Sequence, residues 1–354
     1  MKPAMKPAVL LTLDSMRHAN TGLHSFGHRL GGEIVRQAQP DMTVSVYTYR
    51  QQHGVLGEAA GYVRHRKYHR WFFPLRKHFE LVHFGDQYCR FGPARVHGRT
   101  IMTVHDLNQV HEQGSDHVRV RKHLERLRVK VAGAHHIVAI SHFVAADIVR
   151  FFPEARDKLS VIHNGADWSL PPVDHRPAIV PAQPFLFALG MLCTKKNFHV
   201  LVPLLRGNQR QLLIAGVVQE PYKQKILAEA AAWGVADRVI ITGPVSAADK
   251  NWYYANCEAF AFPSLAEGFG LPVIEAMYHG KPVFLSTLTS LPEVGGAAAY
   301  YFDDFEPEHM AQVFERGLAD FADGGAERVR RHAAQFTWER AAAAYLALYR
   351  RCLA

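Results

Sequence analysis

Cysteine is scarce in this chain of 354 residues. Cys89, Cys193, Cys257 and Cys352 lie far apart with no CxxC spacing, which argues against a zinc site and against a disulfide framework. Long apolar runs are missing as well. The first, Ala8–Leu13, stops at Asp14, too short for a signal h-region or a membrane span, so a cytoplasmic protein is expected. No repeat or low-complexity tract occurs. The first strand-to-helix connection carries no GxGxxG, which argues against a dinucleotide site. No acidic DxD stands out, so no metal is expected. The 22 histidines mostly sit singly among arginines, where surface or core roles are the ordinary reading.

What is present begins with a lopsided charge. Residues 1–182 hold 25 Lys and Arg against 15 Asp and Glu, whereas residues 183–354 hold 16 against 17. The net +9 therefore belongs to the first half, which implies an anionic partner there. The stretch 62–78, YVRHRKYHRWFFPLRKH, interleaves arginines and lysines with Tyr62, Tyr68, Trp71, Phe72 and Phe73. It suits peripheral contact with an anionic membrane or docking of an acceptor, and equally a solvated basic face with its aromatics in the core. Nucleic acid stacking on the aromatics is disfavoured.

Short apolar runs alternate with helical stretches, the pattern of parallel sheets with crossover helices. Strands are expected at Val9–Leu13, Thr43–Thr48, Leu81–Phe84, Ile101–Val104, Ile137–Ile140 and Leu159–Ile162. A second series runs Phe185–Leu189, Leu212–Ala215, Val239–Thr242, Ala259–Phe262, Val283–Leu285 and Ala299–Phe302. Between the two series, 169–184 carries five prolines and reads as a linker. The length suffices for two domains. The fold class expected is α/β, two Rossmann-like doubly wound domains facing across a cleft, with ligands at the carboxyl ends of strands.

The chain is organised around 258–281, EAFAFPSLAEGFGLPVIEAMYHGK. It reads as a buried strand, a loop over Pro263–Leu271, and a helix opened by Pro272 and ended near Gly280. Free N–H groups and the helix dipole then converge on one point and make an anion cradle. Gly268, Phe269, Gly270 and Leu271 line it, with glycine allowing close backbone approach. Glu267 in the loop and Glu275, read as first-turn, bracket it. A diphosphate between them would leave both acids to accept sugar hydroxyls, Glu267 from a hexose and Glu275 from a ribose. The plain alternative is a βα turn followed by a favourable helix-start charge. Earlier, after Gly190, Lys195 and Lys196 stand beside an expected helix start at Asn197, misplaced against a helix dipole unless an anion binds there.

The 258–281 stretch resembles the signature of the retaining nucleotide-sugar glycosyltransferases of family 4, which have the GT-B architecture. FALGMLCTKKN (187–197), TVHDL (103–107), VAISHF (138–143), VIHNGAD (161–167) and SLPEVGG (290–296) resemble further landmarks of that family. One departure is Met191, where many relatives carry arginine; Lys195 is then the second charge. The resemblance implies that Lys195 and Lys196 hold the leaving diphosphate, His105 and Glu267 orient the hexose, and Gly243, Pro244 and Val245 read the nucleobase through backbone. Gly22, in the first glycine-bearing loop, is the expected closest approach to donor phosphates. Ser290 and Glu293 are read as structural.

On this reading residues 1–168 form an acceptor-binding domain, 169–184 a linker, 185–335 a nucleotide-sugar domain, and 336–354 a terminal helix returning to the first. The implied activity is retaining, metal-independent hexosyl transfer in lipopolysaccharide or other surface polysaccharide synthesis, as in bacterial mannosyl- and rhamnosyl-type transferases. The implied partners are a nucleotide sugar, with GDP-mannose as the leading donor, and a glycan or lipid-linked acceptor. No other cofactor is implied. The alternatives are a sugar-nucleotide epimerase or hydrolase on the same fold, or a non-catalytic module binding anionic surfaces.

Overall fold

The computed structural model describes residues 6–17, 21–39, 41–71, 73, 78–167 and 169–354. The chain divides into two compact units, residues 1–165 with 336–354, and residues 166–335. Unit 1 is built on seven strands: β1 (Ala8–Thr12), β2 (Thr43–Thr48), β3 (Gly61–Arg64), β4 (Leu81–Phe84), β5 (Arg99–Val104), β6 (His136–Ala139) and β7 (Leu159–Val161). Unit 2 has six: β8 (Phe185–Leu189), β9 (Gln211–Ala215), β10 (Val239–Gly243), β11 (Ala259–Phe262), β12 (Val283–Ser286) and β13 (Tyr300–Phe302). Every pairing is parallel.

The strand orders are β3-β2-β1-β4-β5-β6-β7 and β10-β9-β8-β11-β12-β13. Each order reverses once, between β1 and β4 in unit 1 and between β8 and β11 in unit 2. Crossover helices cover both faces of such sheets, so their strands read as continuous apolar runs. Val9, Leu10 and Leu11 of β1 and all four residues of β11 are fully buried. All twelve expected strands form. The thirteenth, β3, lies inside the basic aromatic stretch, whose charges hide its alternation. Residues 72 and 74–77 of that stretch fall outside the described residues.

The terminal helix Trp338–Leu353 packs within unit 1, chiefly against the helix Gly22–Ala38. Its Tyr349 hydroxyl lies 2.6 Å from His83 Nδ1 in β4, and Tyr345 reaches Thr103 of β5 at 2.9 Å. Thr103 is also 2.8 Å from His83 Nε2. Burial lowers the His83 pKa to about 3, so the ring is neutral and both nitrogens are engaged. The stretch 169–184 belongs to unit 2. Its Ile179 carbonyl accepts from Tyr253 at 2.8 Å, and Ser169 Oγ accepts from Asn251 at 2.7 Å.

Candidate active site

The site in unit 2 grows from the strand-order reversal between β8 and β11. These neighbours pair only at Ala259–Leu186 and Phe260–Phe187, so their carboxyl ends part and the loops that follow them approach each other. Ligands of open parallel sheets bind at such a point. After β8 the chain passes Gly190 at φ 153°, where a Cβ would stand 3.1 Å from Lys196 Cε. A side chain there would press on the lysine. Thr194–Lys196 is one 3₁₀ turn, and Asn197 in the left-handed region at φ 58° leads into a second 3₁₀ segment, Phe198–Leu205. The helix start expected at Asn197 is met by this 3₁₀ segment rather than by an α-helix, with Asn197 as its N-cap, because Asn tolerates positive φ and resets the chain direction.

After β11, Pro263–Gly270 forms the loop, and Gly270 at φ 108° is the N-cap of the helix Leu271–Tyr278, with Pro272 in its first turn. A side chain is strained at that φ. Glu275 is the fifth residue of this helix, so its expected first-turn position is corrected to the second turn. It does not cap the helix.

The acids and lysines meet in pairs. Lys196 Nζ is 2.5 Å from Glu267 Oε1 and sits 4.5 Å from the Phe262 ring centroid. Each of the two charged side chains keeps 12% of its surface exposed. Glu275 Oε1 lies 2.7 Å from Lys250 Nζ, and its Oε2 accepts from the Tyr254 hydroxyl at 3.0 Å. Burial and the Glu275 charge drive the Tyr254 phenol well above its ordinary pKa, so it remains a donor. Both glutamates expected to stand open toward sugar hydroxyls thus have partners within unit 2.

A collar of hydroxyls fixes the loop. Ser264 Oγ is 2.5 Å from Glu267 Oε1, Glu267 N–H donates to Thr289 Oγ1 at 3.0 Å, and Ser290 Oγ is 3.0 Å from the carbonyls of both Glu267 and Phe269. Ser286 Oγ donates to the Ser264 carbonyl at 2.6 Å. Thr289 holds φ 57°, a strained conformation for a β-branched residue and the kind that clusters at functional sites. Lys195 joins through its carbonyl, which accepts Leu265 N–H at 2.7 Å. Phe269 is buried, and Gly268 and Gly270 are buried beside it. Met191 is 44% exposed, with its sulfur 3.4 Å from Gln219 Nε2.

Gly243, at φ 73°, ends β10, followed by Pro244 and Val245. Ser246 then caps the helix Ala247–Asn256 with a reciprocal bond to Asp249, and that helix delivers Lys250 and Tyr254 to Glu275. Sequence reading missed Lys250, Tyr254, Ser286 and Thr289. A lysine and a tyrosine four apart on a helix were the available signal. The cluster as a whole offers free helix N–H groups, ammonium groups and carboxylates, able to hold an anion and accept from hydroxyls.

Two predicted residues lie in unit 1. His105 follows β5, is buried, donates from Nε2 to the Gly85 carbonyl at 2.8 Å and meets the Phe26 ring edge-on at 4.5 Å. Burial lowers its pKa. Gly22 is the exposed first residue of the helix Gly22–Ala38, which Thr21 caps.

With that geometry in place, the two doubly wound units are those of the GT-B architecture. The structure of sucrose-phosphate synthase from Thermosynechococcus elongatus superposes with a TM-score of 0.73, covering 98% of this chain and 99% of that one at 20% identity. Residues 174–333 match the family model "Glycosyl transferases group 1"; the chain carries a group 1 glycosyltransferase domain. The serotype-specific mannosyltransferase WbdA of Escherichia coli is 29% identical over 221 residues, 57% of this chain and 27% of that protein. The O-antigen chain mannosyltransferase B of Escherichia coli is 26% identical over 286 residues, 75% of this chain and 73% of that one. The matched stretches span about a quarter to a third of the length of the WbdA relatives.

Proposed function

We propose that this chain transfers a hexose from a nucleoside diphosphate sugar, GDP-mannose first, to a glycan or lipid-linked acceptor of surface polysaccharide. The observation that carries the reading is the Lys196–Glu267 pair, set beside a helix N-terminus that Gly270 leaves open. Breaking the anomeric bond builds negative charge on the departing diphosphate. Lys196, Lys195 and the N–H groups of Gly270 and Leu271 would stabilise it, the preorganised electrostatic contribution that usually dominates catalysis. Lys196 then leaves Glu267 for the phosphate, and Glu267 turns to a hexose hydroxyl. Glu275, oriented by Lys250 and Tyr254, would take ribose hydroxyls, with Gly243, Pro244 and Val245 beside the base. His105 and Gly22 would serve the transferred sugar and the donor phosphates.

Retention of configuration and independence from metal belong to the same reading, the lysines standing where a divalent ion would. The mannosyltransferase names of the relatives support mannose. A melting-temperature screen of GDP-, UDP- and dTDP-sugars, followed by NMR of the anomeric product with and without EDTA, tests it. Stabilisation by GDP-mannose and an α-linked product formed in EDTA are expected. No stabilisation by any nucleotide sugar would defeat the reading, and free sugar as the sole product in the presence of acceptor would favour the hydrolase.

Cytoplasmic location and contact with an anionic membrane complete the proposal. No helix among the described residues is long and apolar enough to cross a bilayer. The helix Val118–Gly133 exposes Arg119, Arg121, Lys122 and Arg126 beside Val118 and Val129, and Trp71 is 55% exposed. Such a face suits an anionic lipid surface. Flotation with phosphatidylglycerol vesicles that weakens with salt is expected.

A further inference from the structure

The loop after β8 that carries Gly190, Lys195 and Lys196 also carries Met191. Beyond its last residue β8 stays beside the end of β9. Gly190 N–H donates to the Ala215 carbonyl at 2.9 Å and Leu192 N–H to the Val217 carbonyl at 2.8 Å, with Leu192 and Val218 paired in parallel. Leu192 is fully buried, and along a strand the neighbouring side chain faces the opposite way. Met191 accordingly points outward, 44% exposed. Val217 stands one place before Val218, as Met191 does before Leu192, and is 46% exposed. Gln219 Nε2 donates to the Met191 sulfur at 3.4 Å, which holds the thioether at the surface.

This sulfur differs from the others. Met16, Met42, Met102, Met277 and Met310 are each at most 4% exposed, so Met191 is the one methionine with substantial exposed surface among the described residues. Met1 and Met5 lie outside those residues. The thiols are poor competitors, because peroxide reacts with the thiolate. Cys89, Cys193 and Cys257 are buried. Burial drives the Cys89 thiol well above its ordinary range and the Cys257 thiol up to about 12, and it raises that of half-buried Cys352. A thioether needs no ionisation. Its lone pair attacks one peroxide oxygen, the O–O bond breaks, sulfur gives up two electrons as the S–O bond forms, and water leaves.

The product alters the edge of the site. Met191 follows Gly190, where a Cβ would stand 3.1 Å from Lys196 Cε, so its side chain leaves the backbone beside the Lys196–Glu267 cluster. Oxidation turns an apolar patch into a strong hydrogen-bond acceptor that binds water. A ligand covering the patch must then strip that water, a cost that covering the thioether does not carry.

We propose that Met191 is a peroxide-modification site whose sulfoxide weakens binding of the nucleotide sugar. The modification stands on exposure and sulfur chemistry alone; its effect on the donor rests on the transferase reading above.

The test treats the full chain with hydrogen peroxide, quenches with catalase, and follows each methionine by peptide mass. In the folded protein the Met191 peptide should gain one oxygen about tenfold faster than the peptides of the buried methionines, and in urea the rates should converge. Equal rates in the folded protein would overturn the site. Calorimetry and steady-state kinetics with GDP-mannose read the consequence. Kd and KM are expected to rise about tenfold, while kcat at saturation changes less than about twofold. Methionine sulfoxide reductases A and B together should restore both, since each reduces one epimer. Met191→Gln, which carries a polar oxygen without oxidation, should show the raised KM before any peroxide. Met191→Leu should give the same KM before and after treatment. An unchanged KM in oxidised wild type overturns the effect. So does a peroxide-induced rise that persists in Met191→Leu, which would trace it to another residue. Selective oxidation of Met191 in a protein that binds no nucleotide sugar in either state supports the site and counts against the transferase reading.

Discussion

Lys250 and Glu275 meet at 2.7 Å although they lie on different helices, and Tyr254 closes the same carboxylate from its other side at 3.0 Å. Glu275 therefore has one preset orientation, held by residues one helical turn apart. Preorganised hydrogen-bonding groups lower the cost of binding because little remains to be ordered.

Tyr254→Phe removes one of these two supports and leaves the ring packing. We expect the KM for the nucleotide sugar to rise about tenfold, with kcat changed less. The corresponding loss of binding is about 1.4 kcal/mol. Steady-state kinetics and calorimetry of nucleotide binding check it, and an unchanged donor affinity would mean that Glu275 needs no such support.

Lys196→Ala strands the Glu267 carboxylate, whose side chain is only 12% exposed. Removing one member of a buried pair costs about 3–5 kcal/mol, less where some solvent reaches it. Transfer should fall by a factor of about 100 to 1,000, the range for losing one charge-stabilising donor. The double variant Lys196→Met, Glu267→Gln should regain stability without regaining transfer. Urea unfolding and activity, read together, separate the two roles.

The Asp14 carboxyl titrates at about 6 in the folded chain against 3.8 for the ordinary group. Between those values the folded state binds more protons than the unfolded one, so stability falls as pH rises across that window and levels off above it. The loss approaches about 3 kcal/mol at most. Asp86, Cys89 and Lys130 face the same group. In Asp14→Asn the slope between pH 4 and 6, read by urea unfolding at each pH, should largely disappear, and a slope equal to wild type would place its origin elsewhere.

Tyr349→Phe leaves His83 Nδ1 without its partner at 2.6 Å in a place that no solvent reaches. A buried polar atom stripped of its bond costs about 1–3 kcal/mol. Thermal unfolding should show unit 1 destabilised with the nucleotide-sugar affinity intact.

The fold was legible because parallel strands buried on both faces stay apolar throughout, as Val9–Leu11 and Ala259–Phe262 do. The strand Gly61–Arg64 escaped because arginines and histidines surround it. The loop around Glu267 was legible from its glycines, which permit positive φ and close approach, and from Pro272, which fixes φ at the helix start. Its partners were not. Lys250 and Tyr254 arrive from another helix and Thr289 from beyond β12; the four-residue spacing of Lys250 and Tyr254 marks one helix face but not that Glu275 lies opposite it. Asp14 was read only as the end of an apolar run, since nothing local indicates that Asp86, 72 positions later, comes beside it.

Unit 2 is one unbroken span, whereas unit 1 is written in two instalments, its last helix coming from residues 338–353. On the ribosome the later unit is therefore complete before the earlier one. Unit 1 emerges first with His83 and Thr103 lacking their tyrosine partners, and gains them only once residues 338–353 are made.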